Sequence, residues 1–182
     1  MNAAALILVR HARPRVDPDT PRVEWLLTPD GMAAATALAD HLKMQPVTGV
    51  LSSPEPAALA TTGLIARRLG LTIAVDDGLS EIATPDLPVT ADDAHRANMQ
   101  RVFAERATAP FGGESADQAL ARFSEALRRH AERPLMVVTH GVVMSLYLAP
   151  RLGRDPYELW LGLKTPEAVV LDASDRLVSR SG

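Results

Sequence analysis

Cysteine is absent from the 182-residue chain. A chain without thiols has no disulfide framework, no Cys-ligated zinc, no iron–sulfur cluster and no cysteine nucleophile. Phosphatases, proteases and transferases that work through cysteine are thereby excluded. Charge of one sign is also missing: 19 Lys and Arg stand against 22 Asp and Glu, a formal net charge of −3. So small an imbalance argues against nucleic acid as a partner and against polybasic attachment to a membrane. No long hydrophobic run is present either. The N-terminal run from Ala3 to Val9 is seven residues and stops at Arg10. It lacks a basic flank and is too short to span a bilayer, so it reads as a buried strand rather than a signal peptide. A cytoplasmic location is the expectation. No repeat, low-complexity tract or linker divides the chain, and its length fits one domain. A chain of this size buries roughly 70% of its unfolded surface, so it needs no staple to fold.

Strand and helix signals alternate along the sequence. Ala4 to Val9 is continuously apolar, which suits a strand covered on both faces. His11 to Trp25 carries three prolines and reads as loop. Thr28 caps a helix with Pro29 at its first position, and Met32, Ala35, Leu38, Ala39 and Leu42 recur at helical spacing. Val50 to Ser52 is a short strand. Ser53-Pro54 opens a second helix, with Leu59, Leu64 and Leu69 near one face and Gly70 as its stop. Leu71 to Val75 is a third strand. Asp76 to Gly113 is less regular, with a helix from a Thr90–Asp93 capping box to about Ala107. Ser115 and Gln118 form a second capping box. Leu135 to Thr139 is another buried strand, leading through His140-Gly141 into the apolar helix Val142 to Leu148. Asp155, Pro156 and Glu158 start a short helix, and Glu167 to Leu171 and Arg176 to Ser179 close the chain as strands. This order predicts an α/β fold, a three-layer α/β/α sandwich with a mainly parallel central sheet.

Ligands of such sheets bind at the carboxyl ends of the strands. The residues there are Arg10, His11 and Arg13 after the first strand, Ser52 and Ser53 after the second, Ser80 and Glu81 after the third, and His140 and Gly141 after the fourth. Histidine serves as nucleophile, base or metal ligand. Zinc wants three protein ligands, and adjacent arginines repel a cation. An anion fits better, because guanidinium matches phosphate oxygens in a bidentate way. Helix starts after Ser53 and His140 add backbone N–H groups. In a phosphate pocket, one imidazole can attack phosphorus, a second can stabilise the equatorial oxygens, and a glutamic acid can protonate the leaving oxygen. Ser52 and Ser53 read as caps and backbone donors, with no G-x-S-x-G elbow to suggest a serine hydrolase. His41, His95 and His130 fall on predicted helices as surface or partly packed residues; Trp25 and Trp160 read as packing residues, with the edge of the pocket as their alternative place. Glu114 reads as a helix-start or lid residue.

The segment Leu8-Val9-Arg10-His11-Ala12 resembles the "RHG" signature of the histidine phosphatase superfamily, the phosphoglycerate mutase-like family. Leu27-Thr28-Pro29-Asp30-Gly31 resembles its "LT-x-x-G" helix start. Ser52-Ser53-Pro54 with Thr61 resembles its second-strand motif, and Leu79-Ser80-Glu81 its "L-x-E". Gly112-Gly113-Glu114-Ser115 with Arg122 resembles "GGES…R", and Val138-Thr139-His140-Gly141 resembles "V-[ST]-H-G". Six elements in the family's order span nearly the whole chain. The resemblance implies one phosphoglycerate mutase-like domain over residues 1–182, with a lid-type insertion at about 82–112. It implies His11 as the nucleophile that becomes phosphohistidine, Arg10 as the phosphoryl binder, His140 as stabiliser of the transferring group and Glu81 as proton donor. Arg13, Ser53 and Gly141 join them as substrate-binding candidates. No metal and no cofactor are implied.

Three positions depart from the family pattern. The second phosphate-binding arginine, four residues after Ser53, is Ala57 here; Asp17 stands where Asn is frequent; Pro14 stands where Ser or Thr is common. Losing one charged hydrogen bond to phosphate costs roughly 1.5–3 kcal/mol, about ten- to a hundredfold in binding. Arg13, Arg67 and Arg68 are the candidate replacements. The expected function is metal-independent hydrolysis of a small phosphomonoester through a phosphohistidine. Sugar phosphates and nucleotides like α-ribazole phosphate both fit as substrates. The alternatives are a weakly active or non-catalytic phosphate-binding regulatory module of the same fold, and a phosphomutase. Nothing in the pattern points to a particular oligomeric state.

Overall fold

The computed structural model describes residues 4–17, 19–21, 24–90, 92–132 and 134–182. Its elements run β1 (Ala4–Arg10), α1 (Pro29–Leu42), β2 (Gly49–Ser52), α2 (Pro56–Leu69), β3 (Thr72–Val75), α3 (Asp92–Ala104), α4 (Ala116–Arg129), β4 (Leu135–Thr139), α5 (Gly141–Leu152), α6 (Pro156–Gly162), β5 (Glu167–Asp172) and β6 (Leu177–Ser181). Ala3 and Ala91, at the starts of the predicted first strand and third helix, and Pro18 in the predicted loop lie outside the described residues.

The strands form one sheet in the order β3-β2-β4-β1-β5-β6. β1, β2, β3 and β4 pair in parallel, while β5 and β6 add on antiparallel. The mainly parallel sandwich expected from the alternating pattern is therefore present. Successive side chains of β1 serve opposite layers. Leu6 and Leu8 join the core beneath α4 and α5, and Ile7 and Val9 join the core beneath α1 and α2. Both faces are covered, which explains why β1 and β4 carry apolar residues without alternation. α5 is buried from Gly141 through Ala149. Its all-round apolar composition matches a helix packed inside the sandwich.

Local signals set most helix starts. Thr28 Oγ1 accepts from Gly31 N at 3.0 Å to cap α1. Ser115 and Gln118 make both bonds of a capping box on α4. Asp155 caps α6 by accepting from the backbone of Tyr157 and Glu158.

The second helix differs from expectation. It starts at Pro56 rather than beside Ser53, with Glu55 as an extended N-cap (φ −69°, ψ 139°). The cause is Pro56: its ring disfavours helical geometry in the preceding residue and is itself well placed at a first helical position. α2 also buries Ala58, Thr62, Ile65 and Ala66 in place of the expected Leu59, which is exposed. α1 buries Gly31 and leaves Met32 exposed. No helix among the described residues is long and apolar enough to cross a membrane.

Candidate active site

The carboxyl ends of β1, β2 and β4 meet at one edge of the sheet. His11 N donates to Thr139 O at 2.9 Å, and Ser53 N donates to Val138 O at 3.0 Å. These bonds hold the residues following the strands in register. Arg10, His11, Glu81, His140 and Gly141 line one pocket of about 160 Å³. The fold brings these five, each placed at a strand end by the sequence, to the same pocket. Ser53 is buried directly behind them, with its Oγ 2.8 Å from His140 Nε2.

The two imidazoles face each other edge to face, with centroids 4.9 Å apart. His11 Nδ1 lies 2.8 Å from Ala12 O. A carbonyl can only accept, so Nδ1 carries a hydrogen, and in the neutral ring Nε2 keeps the lone pair. The Ala12 backbone is fixed in turn, since Ala12 N donates to Thr61 Oγ1 at 3.0 Å and Thr61 Oγ1 donates to Ala57 O at 2.7 Å. His140 is almost wholly buried at the N-cap of α5.

Arg10 supplies the cation of the pocket. Its Nη1 donates to Leu163 O at 2.7 Å, while its buried Nε has no partner among the described residues. A buried N–H is costly to leave unpaired. Burial lowers the proton affinity of Arg10 below the ordinary arginine value, with the charges of Glu81 and Glu167 opposing that shift. Gly141 makes the necessary space: a Cβ there would lie 3.0 Å from Arg10 Nε and 3.1 Å from Trp160 Nε1.

Glu81 lines the pocket with both oxygens engaged. Oε2 accepts from Val142 N at 2.9 Å, and Oε1 accepts from Val143 N at 3.1 Å and Ile82 N at 3.0 Å. Three N–H donors suit a carboxylate acting as acceptor and tie the loop after β3 to the positive end of α5. The loop is braced from outside by Arg122, which donates to Gly78 O at 2.9 Å, Ser80 O at 3.0 Å and Glu81 O at 3.3 Å. Arg122 also forks onto Glu114, whose Oε1 accepts from Ala83 N at 3.2 Å. Glu114 is thus a clamp beside the start of α4.

Arg13 is a correction. Its side chain is exposed and does not line the pocket; its carbonyl instead accepts from Thr28 N at 3.0 Å. Chain direction explains this: the residue two past His11 has already turned toward the start of α1. Arg67 and Arg68 are no replacements either. Both are exposed at the end of α2, and Arg68 pairs with Asp40. Position 57 does line the pocket, so a methyl group occupies the wall where the family pattern places a guanidinium. Asp17 stays out of the pocket, its Oδ1 accepting from Asp19 N at 3.0 Å within its own loop.

Four lining residues exceed the sequence expectation. Trp25 and Trp160 take their alternative place on the pocket wall, and His95 reaches the pocket from α3, its ring 5.9 Å from that of Trp160. The fourth, Glu55, has Oε1 2.7 Å from Glu81 N and 3.5 Å from His140 Nε2. The signal for Glu55 was Pro56, which forces the preceding residue into extended geometry. Among the described residues, no group of three or more His, Asp or Glu is placed to hold a metal ion.

The fold has counterparts among solved structures. Mycobacterial glucosyl-3-phosphoglycerate phosphatase aligns with a TM-score of 0.71 at 21% identity, over 96% of this chain and 97% of that one. The phosphoserine phosphatase of Entamoeba histolytica, in complex with 3-phosphoglyceric acid, aligns with a TM-score of 0.73 at 20% identity, over 98% and 96%. At these identities the likeness is one of fold. No curated protein matches the chain. The sequence profile of the histidine phosphatase superfamily (branch 1) matches residues 6–174. With the paired histidines and Arg10 at its sheet edge, the chain belongs to the histidine phosphatase superfamily, branch 1.

Proposed function

We propose that the protein hydrolyses a small phosphomonoester, without a metal, through a phosphohistidine on His11. The observation that carries this reading is the contact of His11 Nδ1 with Ala12 O. This contact leaves Nε2 of the neutral ring as a nucleophile beside His140 in a pocket with an unpartnered Arg10 Nε. Arg10 binds the phosphoryl oxygens, and His140 stabilises the charge that gathers on them during transfer. Ser53 and Glu81 orient His140, the first through its hydroxyl and the second by anchoring the start of α5. α3, with its flanking loops, serves as the lid, and His95 and Met99 are its inner face. The structural relatives bind small phosphorylated compounds, as the complex with 3-phosphoglyceric acid shows for the Entamoeba enzyme. That supports a phosphorylated metabolite as substrate.

A weakly active phosphate-binding module is the second reading, and Ala57 is the observation that favours it. Hydrolysis of p-nitrophenyl phosphate in the presence of EDTA separates the two. The phosphatase reading expects turnover by the wild type and loss of about a thousandfold or more in His11→Ala. Equal background rates for both would contradict it, and a requirement for added metal would contradict the mechanism.

A further inference from the structure

We propose that the phosphomonoester carries an apolar alcohol, seated in a groove formed by the loop after β3. This assignment rests on the phosphatase reading above and narrows its substrate class. The groove holds about 620 Å³ and is lined by Glu55, Glu81, Pro21, Ile82, Leu87 and Val89 among others. Glu55 and Glu81 line the phosphate pocket as well, so the two spaces share a wall. The phosphate pocket is the smaller, at about 160 Å³. With phosphorus between His11 and His140, the groove is the larger neighbouring space for the rest of the ester.

The second observation is that the groove is held in shape by its own backbone. Asp86 N donates to Phe111 O at 3.0 Å, Leu87 N to Thr84 O at 3.1 Å, and Glu114 N to Ala83 O at 3.0 Å. Gly113 permits the last of these: its φ is +70°, and a Cβ there would collide with the Ala83 carbonyl. Ile82 and Leu87 are buried members of the core beneath α4 and α5, whereas Val89 is 43% exposed. A wall braced in this way needs little ordering when a ligand enters.

The lining sets which alcohol gains most. Sites for small molecules are mostly apolar, with a few polar groups that fix orientation, and here the polar groups gather around the phosphoryl end. An alkyl or aryl alcohol gains free energy by leaving water in the groove. Each hydroxyl of a sugar set against Pro21, Leu87 or Val89 instead gives up a hydrogen bond to water. The groove therefore favours an apolar alcohol over a polyol of the same length.

A series of alkyl phosphates tests the proposal. Ethyl, butyl and hexyl phosphate release alkoxides of closely similar basicity, so differences among them report burial rather than bond breaking. From ethyl to hexyl phosphate, kcat/KM should rise roughly twofold to fourfold for each added methylene. Glucose 6-phosphate, a polyol of the same carbon number, should stand about tenfold or more below hexyl phosphate. Val89→Asp places a carboxylate in the groove at an exposed position, and the hexyl-to-ethyl ratio should fall about fivefold or more. That ratio is taken within one variant, so any loss of folded protein cancels. A flat series, an unchanged ratio in Val89→Asp, or glucose 6-phosphate as good a substrate as hexyl phosphate would overturn the apolar assignment, while turnover of p-nitrophenyl phosphate would keep the phosphatase reading. Failure of the wild type to hydrolyse any of these esters would overturn the phosphatase reading and this assignment with it.

Discussion

Arg10 and Gly141 occupy adjoining space, so that a Cβ at Gly141 would stand 3.0 Å from Arg10 Nε and 3.1 Å from its Cζ. The glycine after His140 is therefore a condition for the arginine before His11, across two strands of the sheet. Gly141→Ala should push the guanidinium aside by a few tenths of an ångström and strain its bond to Leu163 O. Inhibition by inorganic phosphate should weaken roughly tenfold, the equivalent of one charged hydrogen bond. An unchanged inhibition constant would show that Arg10 does not depend on this space.

Ala57 leaves one pocket wall without a cation. Its position among the lining residues means that a longer side chain there enters the pocket rather than the core. Ala57→Arg should strengthen vanadate or phosphate binding about ten- to a hundredfold, measured by inhibition or calorimetry. No change in binding would contradict the view that this wall contacts the anion.

Arg122 holds the loop of Glu81 by three carbonyls and one carboxylate. Arg122→Ala leaves these acceptors short of a donor and should cost about 2–4 kcal/mol of unfolding free energy in urea. Arg122→Lys should recover little, because an ammonium cannot span the same fork. A loss within about 0.5 kcal/mol, as at an ordinary surface site, would contradict the bracing role.

Asp76 sits just upstream of that loop. Burial opposes its ionisation, but Arg129, the Gly78 N–H and His130 outweigh burial and hold its carboxyl group below the usual aspartate range. A carboxyl whose folded value is depressed stabilises the fold above the ordinary value of about 3.9 and loses that contribution as pH falls through the folded value. Wild-type stability should therefore drop across the acid range below about pH 4, and Asp76→Asn should start lower and lose less there. Parallel curves from urea unfolding at a series of pH values would contradict this.

The sheet, its order of elements and the residues at its carboxyl edge were readable because strand ends are marked by abrupt changes from apolar to polar residues. β4 ending at Thr139 and α5 starting at Gly141 are the clearest case. What could not be read is where a side chain turns once the chain has left the strand. Arg13 resembled Arg10 in type and distance along the chain, yet the turn into α1 carries it outward. His95 reads as a surface or partly packed residue because α3 is polar on most sides; it is half-buried, and the packing of α3 near Trp160 brings its ring to the pocket. Glu55 could have been foreseen from the two prolines that flank it, since Pro56 determines its backbone.

The central claim is that His11 Nε2 accepts the phosphoryl group. It is tested most directly by mixing the protein with a phosphomonoester, quenching rapidly in alkali and locating the phosphoryl adduct by peptide mass spectrometry. The account predicts an adduct on His11 that is absent from His11→Ala and that builds up in variants slowed in the second step. An adduct on another residue, or turnover with no protein adduct under any quench time, would contradict it.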